Sequence, residues 1–300
     1  ANKIWNASRY ILMNLDGIEL VDKPALLDVD RWILHRLDAA AASVAEAIGS
    51  YRFNDAASTV YEFFWNDFCD WYLEATKLST RSSDQAEKNR ALSVLLSVLE
   101  EALRLLHPFL PFVTEEIYGK LPNVRGRLIV AAYPKADPAR RNDELDARFT
   151  ELKELVTMVR SLKAEFGIPP ERKLRLAVKG DDGSQAAQFL SHNAALVVLL
   201  ANAESFTPVQ SKPEGSLALA GRGYECYAYA REAVDISALA LRFRKEAEKE
   251  NAFADKVDAK LSNAGFANSA PPEVIAKERE KLEAARTRAA KLLKYVGELE

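Results

Sequence analysis

The sequence predicts a mainly α protein made of an antiparallel helical bundle, a small α/β subdomain and a C-terminal antiparallel coiled-coil hairpin. Amphipathic segments with short connections fill residues 1–127, and residues 128–234 mix helical and alternating apolar patterns. Residues 235–300 carry two long apolar stripes at coiled-coil spacing. With 300 residues, 48% of them hydrophobic, the chain has enough apolar material for about two domains.

The first part of the chain predicts five helices, and their short connections favour antiparallel neighbours. The first helix has apolar residues at helical spacing from Ile4 to Leu15. The second runs from Asp28, as its N-cap, to Gly49, and the third starts at a cap on Asn54. The fourth and fifth cover residues 83–106 and 111–121. The inward stripe predicted for the third helix contains Ala57, Tyr61, Phe64, Phe68, Trp71 and Leu78.

The middle part predicts a small α/β unit. Residues 127–134 form a short extended segment in this interpretation, and residues 143–166 and 184–200 form helices. Residues 173–179 alternate regularly, which predicts a strand with Leu174, Leu176 and Val178 facing inward. Two further strands, over residues 216–220 and 224–230, enclose Gly221 and Gly223, as is typical of a hairpin turn.

The last part predicts two long helices folded back on each other. Their connection, residues 263–272, holds Gly265 near the end of the first helix and a Pro-Pro pair at the start of the second, and its shortness requires an antiparallel pair. At about 1.5 Å per residue each helix is roughly 40 Å long, so we expect the hairpin to project into solvent. The first stripe contains Ile236, Leu239, Phe243, Phe253, Val257 and Leu261, with Glu246 and Glu250 on the same seam. The second contains Ile275, Leu282, Ala285, Ala289, Leu292, Val296 and Leu299, interrupted by Glu278.

Charge separates the hairpin from the rest of the chain. Residues 242–294 contain 13 Lys or Arg and 9 Asp or Glu, a net charge of +4, whereas the whole chain carries −3. Residues 1–121 contain 12 Lys or Arg and 18 Asp or Glu, a net charge of −6. A cationic hairpin suits a phosphate backbone, although charged helix pairs often carry such residues for solubility alone. Nucleic-acid contacts on the acidic bundle would have to be local.

Several classes of site are not supported. Two cysteines and three histidines at unrelated spacings argue against a zinc site or a disulfide framework. No stretch approaches the ~18 to 20 apolar residues of a membrane span, and the first residues have no signal-peptide core. We therefore expect a cytoplasmic protein without a membrane partner. Because the chain begins inside a helical pattern, we also expect a fragment of a longer protein.

No group of residues predicts an active site. Asp67, Asp70 and Glu74 lie at i, i+3 and i+7 on one helix, where they could serve in acid–base chemistry. A solvated face or pairing with Lys77 is the favoured alternative. The aromatic residues of the same helix could stack on bases, but aromatic residues at helical spacing more often belong to a core.

Four segments carry a resemblance to a known family. They are residues 2–9 (NKIWNASR), 65–74 (WNDFCDWYLE), 106–117 (LHPFLPFVTEEI) and 270–282 (APPEVIAKEREKL). The first three resemble the anticodon-binding domain of class I aminoacyl-tRNA synthetases, and the fourth resembles the terminal coiled coil of bacterial valyl-tRNA synthetases. The chain is thus similar to the C-terminal portion of the valyl-tRNA synthetase family. Isoleucyl enzymes commonly end in a cysteine-ligated zinc module, which two cysteines cannot form, and leucyl enzymes lack the hairpin.

The resemblance implies that the parent enzyme attaches valine to tRNA(Val) with ATP and magnesium. The HIGH and KMSKS signatures of class I synthetases do not occur in the sequence, so this fragment is expected to be non-catalytic and to need no cofactor itself. Its expected partners are tRNA(Val) and the N-terminal catalytic and editing domains of the same chain, and we expect a monomer.

The resemblance also implies where tRNA binds. The bundle would receive the anticodon loop, with Asn2, Trp5, Asn6 and Arg9 as the anticodon-binding residues; alternatively, Asn6 and Arg9 tie the bundle to the catalytic domain. The hairpin would lie against the tRNA body. Its predicted backbone contacts are Arg279, Lys281, Arg286, Lys291 and Lys294.

A different class of function also fits the hairpin. It could be a protein-interaction module in which Glu246 and Glu250 pair with basic residues of another coiled coil. Self-association through Phe253 and Leu292 is a variant of this hypothesis.

Overall fold

The chain is mainly α with one small sheet, which confirms the predicted fold class. This computed structural model describes residues 2–122, 124, 126–263, 265–266 and 270–299, without the side chains of residues 232 and 299. Contacts divide the chain into two units, residues 1–153 and residues 154–300. The three-part division into residues 1–127, 128–234 and 235–300 stays a prediction.

The first unit is a bundle of helices. Two 3₁₀ turns, Leu128–Val130 and Pro138–Arg140, precede α8 (Asp143–Phe166), a helix that contains the boundary between the units. The earlier elements are α1 (Asn2–Met13), α2 (Asp28–Gly49), α3 (Phe53–Glu62), a π-helical segment (Phe63–Tyr72), α4 (Leu73–Ala75), α5 (Lys77–Thr80), α6 (Gln85–Leu106) and α7 (Pro111–Tyr118).

Both N-caps predicted in the bundle are wrong. Leu27 occupies the N-cap of α2, and Asp28 is already inside the helix. The carboxylate of Asp30 reaches back and accepts a hydrogen bond from the backbone N–H of Leu27 at 3.0 Å, so a residue of the first turn supplies the cap. α3 begins at Phe53, which places Asn54 within the helix.

The extended segment predicted at residues 127–134 is wrong at Leu128–Val130, which form a 3₁₀ turn between the extended residues Arg127 and Ala131. The carboxylate of Glu115 on α7 accepts hydrogen bonds from the backbone N–H groups of Leu128 and Ile129, each at 3.1 Å. These bonds hold the chain in a 3₁₀ turn against α7, and the apolar pattern of the segment carried no sign of them.

The aromatic segment after α3 forms a π-helix, Phe63–Tyr72. A π-helix has a wider turn than an α-helix, so its side chains leave the stripe expected from a 3.6-residue period. Phe64 and Phe68 are buried as predicted, whereas Tyr61 and Leu78 are 54% and 41% exposed. The predicted inward stripe is therefore correct only in its centre.

The three carboxylates at positions 67, 70 and 74 pair with cations, and of these pairs the sequence favoured only the one with Lys77. Asp67 accepts from Arg36 at 2.7 Å, and Glu74 lies 2.5 Å from Lys77. Asp70 pairs with a lysine of α1. These pairs give the acidic residues a structural role that explains their spacing.

A buried carboxylate joins α2, the π-helical segment and α6. The hydroxyl of Tyr72 donates to one oxygen of Asp30 at 2.7 Å, and Arg90 donates to the other at 2.6 Å. Burial, followed by the charge of Asp30, raises the pKa of Tyr72 well above its ordinary value. The hydroxyl therefore stays protonated and acts as a donor.

The N-terminal part of α8 is held on α2. Phe149 stacks on Trp32 with 5.1 Å between ring centroids, and Nε1 of Trp32 donates to Asp146 at 3.0 Å. Nδ1 of His35 accepts from the backbone N–H of Asn142 at 2.8 Å. Burial lowers the pKa of His35, although the nearby Asp146 opposes the shift. The neutral imidazole thus supplies the acceptor at the start of α8.

The second unit contains a mixed sheet and the C-terminal hairpin. The sheet has the order β2-β1-β4-β3, with β1 parallel to β2 and antiparallel to β4. Its elements after α8 are β1 (Arg175–Gly180), α9 (Gln185–His192), α10 (Ala194–Ala201), β2 (Ser205–Pro208), β3 (Leu217–Ala220), β4 (Tyr224–Ala228), a 3₁₀ turn (Ala230–Glu232), α11 (Ile236–Ser262) and α12 (Pro272–Leu299).

The hairpin between β3 and β4 confirms the sequence prediction. At Gly221 an added Cβ would lie 2.1 Å from the ring of Tyr224, and Gly223 has φ +75°. Both positions of the turn therefore favour glycine. The strand β2 was missed, because a four-residue segment ending in proline carries little pattern.

The single helix predicted over residues 184–200 is wrong, since the chain forms α9 and α10 with a break at Asn193. The side chain of Asn193 donates to the carbonyl of Phe189 at 3.0 Å, which satisfies an acceptor at the end of α9. The strand β1 differs from a simple alternation, because Leu176, Ala177 and Val178 are all buried.

We expect acid to destabilise the first unit through His35. Because its pKa is lowered in the folded chain, the unfolded chain binds the proton more tightly. The corresponding stability is fully present above the ordinary pKa of about 6.5 and is lost as the pH falls through the folded pKa. Urea unfolding at about pH 7.5 and about pH 5.5 measures the difference.

The matched variant is His35→Asn, whose amide oxygen can replace the Nδ1 acceptor but does not titrate. It should show a smaller loss of stability between the two pH values than the unsubstituted chain. His192→Asn changes an exposed histidine and should leave the loss unaltered. The same pH dependence in all three proteins would contradict this role of His35.

Candidate nucleic-acid interface

The exposed face of α1 presents free hydrogen-bonding groups. Asn2, Trp5, Asn6 and Arg9 are exposed, while Ile4 and its neighbours on the other face enter the core of the bundle. Within the described residues, the side chains of Asn2, Asn6 and Arg9 make no hydrogen bond or ion pair. The structure therefore brings the predicted anticodon-binding residues together on one face, and their role stays a prediction.

A groove of about 250 Å³ lies beside this face. Its walls are mainly apolar, with the cations Arg9 and Lys120 among the lining residues. Among the residues that the structure describes, the buried Oγ of Ser8 has no hydrogen-bond partner. The groove suits a flat, largely apolar group that offers an acceptor to Ser8 or Arg9. The lining residues are Trp5, Ser8, Arg9, Leu12, Met13, Ile117 and Lys120.

One lysine fixes α1 against the π-helical segment. Lys3 donates to Asp70 at 2.7 Å and to the carbonyl of Trp65 at 3.3 Å. Trp65 stacks on the exposed ring of Tyr61 with 4.5 Å between centroids. Sequence reasoning missed this pair of an exposed Tyr61 and a partly buried Trp65, because it placed Tyr61 in the core.

The helices α11 and α12 bury an apolar seam against each other, which confirms the predicted hairpin. The seam of α11 repeats alanine every seven residues at Ala240, Ala247 and Ala254. Phe253 is 46% exposed, so its predicted place in the seam is wrong and Ala254 occupies it. The other buried seam residues are Leu239, Phe243, Val257, Leu282, Ala285, Ala289, Leu292, Tyr295 and Val296.

The ends of the predicted apolar stripes differ from the observed seam more than their centres do. Ile275 is only partly buried, and Glu278 in the same stripe is 8% exposed. The side chain of Leu299 lies outside the described part of the chain, as do residues 264 and 267–269 of the connection. α11 ends at Ser262, before Gly265, and the side chain of Asn263 accepts from the N–H of Gly265 at 2.9 Å.

An aromatic cluster anchors the base of the hairpin on α8. Phe166 makes edge contacts with Phe243 and Tyr295, each with 5.1 Å between ring centroids. Lys291 donates to the neighbouring Glu165 at 2.8 Å. Burial alone would lower the pKa of Lys291, but its hydrogen bonds and charge interactions with Glu165 and Tyr295 together outweigh burial and raise the pKa. Lys291 is therefore charged and already paired.

Two more of the cations that were predicted to contact the RNA backbone are also paired with carboxylates. Lys281 lies 2.9 Å from Glu278, and Arg286 lies 2.9 Å from Asp258 on the opposite helix. The hydrogen bond from Lys281 lowers the pKa of Glu278. The pair of Arg286 links α12 to α11, whereas the pair of Lys281 lies within α12. The role of both cations in RNA binding stays a prediction.

The contacts of the hairpin weaken the protein-interaction hypothesis. Glu250 lies 3.2 Å from Arg288, so its charge is met within the hairpin. Glu246 lies 3.7 Å from Arg242 of the same helix. Leu292 is fully buried in the seam and is not available to a second chain.

Comparison with known proteins assigns both regions. Residues 30–178 match the family described as the anticodon-binding domain of tRNA ligase, and residues 235–300 match the valyl tRNA synthetase tRNA binding arm. Across the whole chain the similarity is to valine–tRNA ligases. The chain belongs to the valine–tRNA ligase family. The helix α1, with its free polar face, precedes the region matched by the first family.

The relatives are bacterial. The chain is 44% identical to the valine–tRNA ligase of Treponema denticola over 99% of its length and 40% identical to that of Treponema pallidum over 100%. It is 36% identical to the enzyme of Thermotoga maritima, also over 100%. In each case the chain spans 34% of the relative's length, and the matched part is the C-terminal region.

Each helix among the described residues is too short or too polar to span a membrane. The same residues contain no cluster of three or more His, Cys, Asp or Glu side chains arranged to hold a metal ion.

The register of the seam can be tested by comparing two phenylalanines of α11. Phe243→Ala should destabilise the second unit by about 3 to 5 kcal/mol, because Phe243 is fully buried in the aromatic cluster. Phe253→Ala should cost no more than about 0.5 kcal/mol, because the ring is exposed. Urea unfolding and amide hydrogen exchange in α11 measure both effects; equal losses would rule out this register.

Proposed function

We propose that this chain binds tRNA(Val) and serves as the tRNA-recognition region of a valine–tRNA ligase. The observation that carries the proposal is the free polar face of α1 beside an apolar groove, in a chain whose two matched families are named for anticodon and tRNA binding. The parent enzyme would attach valine to tRNA with ATP and magnesium, while binding by this region needs no cofactor.

The bundle is proposed to receive the anticodon loop. Single-stranded loops are recognised through unstacked bases that stack on aromatic side chains and form hydrogen bonds along their edges. Trp5 offers a partly exposed aromatic surface, and Asn2, Asn6 and Arg9 offer donors with no partner among the described residues. The net charge of −6 over residues 1–121 disfavours general attraction of RNA, so recognition here depends on these local contacts.

The hairpin is proposed to contact the sugar-phosphate surface of the tRNA body. Its excess of cations supplies affinity that does not depend on sequence and falls with salt. The other proposed partner is the N-terminal part of the same enzyme, which holds the catalytic and editing domains. We further propose that the protein acts as a monomer in the cytoplasm.

Titration of the chain with a tRNA(Val) transcript and with a non-cognate transcript tests this function. At about 50 mM salt both should bind, because phosphate contacts do not depend on sequence, and tRNA(Val) should bind more tightly. At about 200 mM salt both affinities should fall by at least tenfold. No binding of either transcript at low salt would refute the proposal.

A second prediction concerns Arg9. Arg9→Gln should reduce discrimination between the two transcripts by roughly 1 to 3 kcal/mol, with a much smaller effect on the non-cognate transcript. Arg81→Gln is the matched control, because Arg81 is exposed and makes no ion pair within the described residues. If Arg9→Gln and Arg81→Gln weaken both transcripts equally, Arg9 acts only through its charge.

A further inference from the structure

The cations of the hairpin fall into two groups according to their contacts. The paired cations lie 2.8 to 3.7 Å from carboxylates of the same unit and are Arg242, Lys260, Lys281, Arg286, Arg288 and Lys291. A second group of exposed cations has no ion pair or hydrogen bond among the described residues. It contains Lys245, Lys249 and Lys256 on α11, and Lys277, Arg279 and Lys294 on α12.

The unpaired lysines of α11 lie in one row. At 3.6 residues per turn, Lys245, Lys249 and Lys256 fall within an arc of about 40°, on the side opposite the seam alanines. They are spaced about 6 Å and about 10 Å apart along the axis. The three unpaired cations of α12 spread over an arc of about 160°, so they cannot all face one surface. The row on α11 is therefore the more ordered cationic surface.

An aromatic ring lies beside this row. Phe253 follows Lys249 by four residues and precedes Lys256 by three, and such residues are neighbours on a helix surface. Its side chain is 46% exposed, and among the described residues no other aromatic ring contacts it. Proteins that bind single-stranded RNA combine cationic grooves with exposed aromatic rings on which bases stack.

We propose that the RNA-contacting surface of the hairpin is the outward face of α11, formed by Lys245, Lys249, Phe253 and Lys256. The lysines contact phosphates of one strand, and Phe253 stacks on a base face that no neighbouring base covers. The paired cations of the hairpin stabilise its fold instead. This inference rests on the proposed tRNA binding and specifies which surface performs it.

Charge complementarity selects RNA over a protein as the occupant. Each unpaired lysine that meets a phosphate releases condensed counterions, whereas a cation already paired with a carboxylate gains less. A protein partner would need a carboxylate row at the same spacing. Self-association through Phe253 alone would bring two rows of lysines close together, and like charges disfavour it.

The first experiment compares two triple variants with the same change in net charge. Lys245→Gln, Lys249→Gln, Lys256→Gln removes the row on α11, and Lys277→Gln, Arg279→Gln, Lys294→Gln removes the unpaired cations of α12. The α11 variant should bind the tRNA(Val) transcript about 10- to 100-fold more weakly at low salt, with a salt slope reduced by about 2 to 3. The α12 variant should stay within about threefold of the unsubstituted chain. No ion pair is broken in either variant, and circular dichroism verifies that both remain helical.

The second experiment separates stacking from general apolar contact. Phe253→Leu keeps apolar surface without a ring and should weaken binding by about tenfold, whereas Phe253→Tyr should retain the affinity. Leu293→Ala on α12 is the control, since Leu293 is 49% exposed and is expected to have no effect. Unchanged binding by Phe253→Leu would overturn the stacking role.

The outcomes distinguish this inference from the proposed function. If the unsubstituted chain fails to bind tRNA, the proposed function fails. If it binds and the α12 variant loses as much affinity as the α11 variant, the function stands and the assignment to α11 is overturned. Sedimentation that shows a dimer dependent on Phe253 would also overturn it, because the face would then meet a second copy of the chain.

Discussion

Ion pairing within the chain decides which positive charges remain available to another molecule. The hairpin has a modest excess of cations, but at least six of them meet carboxylates on the facing helix, on the same helix or at its base. Exposed pairs of this kind contribute little stability individually. They nevertheless occupy the cations that take part in them. The lysines of α11 that remain unpaired among the described residues lie in one row on one face of the helix.

The distribution of paired and unpaired cations follows from the apolar seam between α11 and α12. Alanines repeat every seven residues on α11, Ala254 packs with Ala285 of α12, and small side chains allow the helices to lie close together. Close helices bring Asp258 and Glu250 within reach of arginines on α12. Among the described residues no carboxylate pairs with Lys245, Lys249 or Lys256 on the outward face of α11, so these three lysines stay free.

The sequence predicted the elements well and their details less well. The long helices, the β3–β4 hairpin and the C-terminal pair were predictable, because each has a clear apolar period or a glycine turn. The cap at Leu27, the π-helical turn and the 3₁₀ turn on Glu115 depend on hydrogen bonds that periodicity does not encode. Tyr61 was placed in the core for the same reason, since the stripe assumed an unbroken α-helix.

The candidate site was predictable only in part. The polar face of α1 follows from i, i+4 and i+7 spacing, which the structure preserves. The choice among cations of the hairpin was not predictable, because a count of lysines and arginines does not show which are paired. Phe253 was assigned to the seam because phenylalanine is large and apolar, yet the alanine beside it continues the heptad. Counting small residues as seam positions would have shown the correct register.

Affinity and discrimination therefore depend on different physical terms in this chain. The proposed phosphate contacts on α11 are electrostatic and would weaken as salt shortens the screening length to about 8 Å at physiological ionic strength. Hydrogen bonds and stacking on α1 act at contact distance and are much less sensitive to salt. The net negative charge of residues 1–121 adds no general attraction for RNA, so a loop with the wrong bases gains little by entering the groove beside α1. In this proposal the free donors on α1 favour the correct anticodon loop over incorrect ones. The lysine row on α11 supplies affinity for the tRNA body.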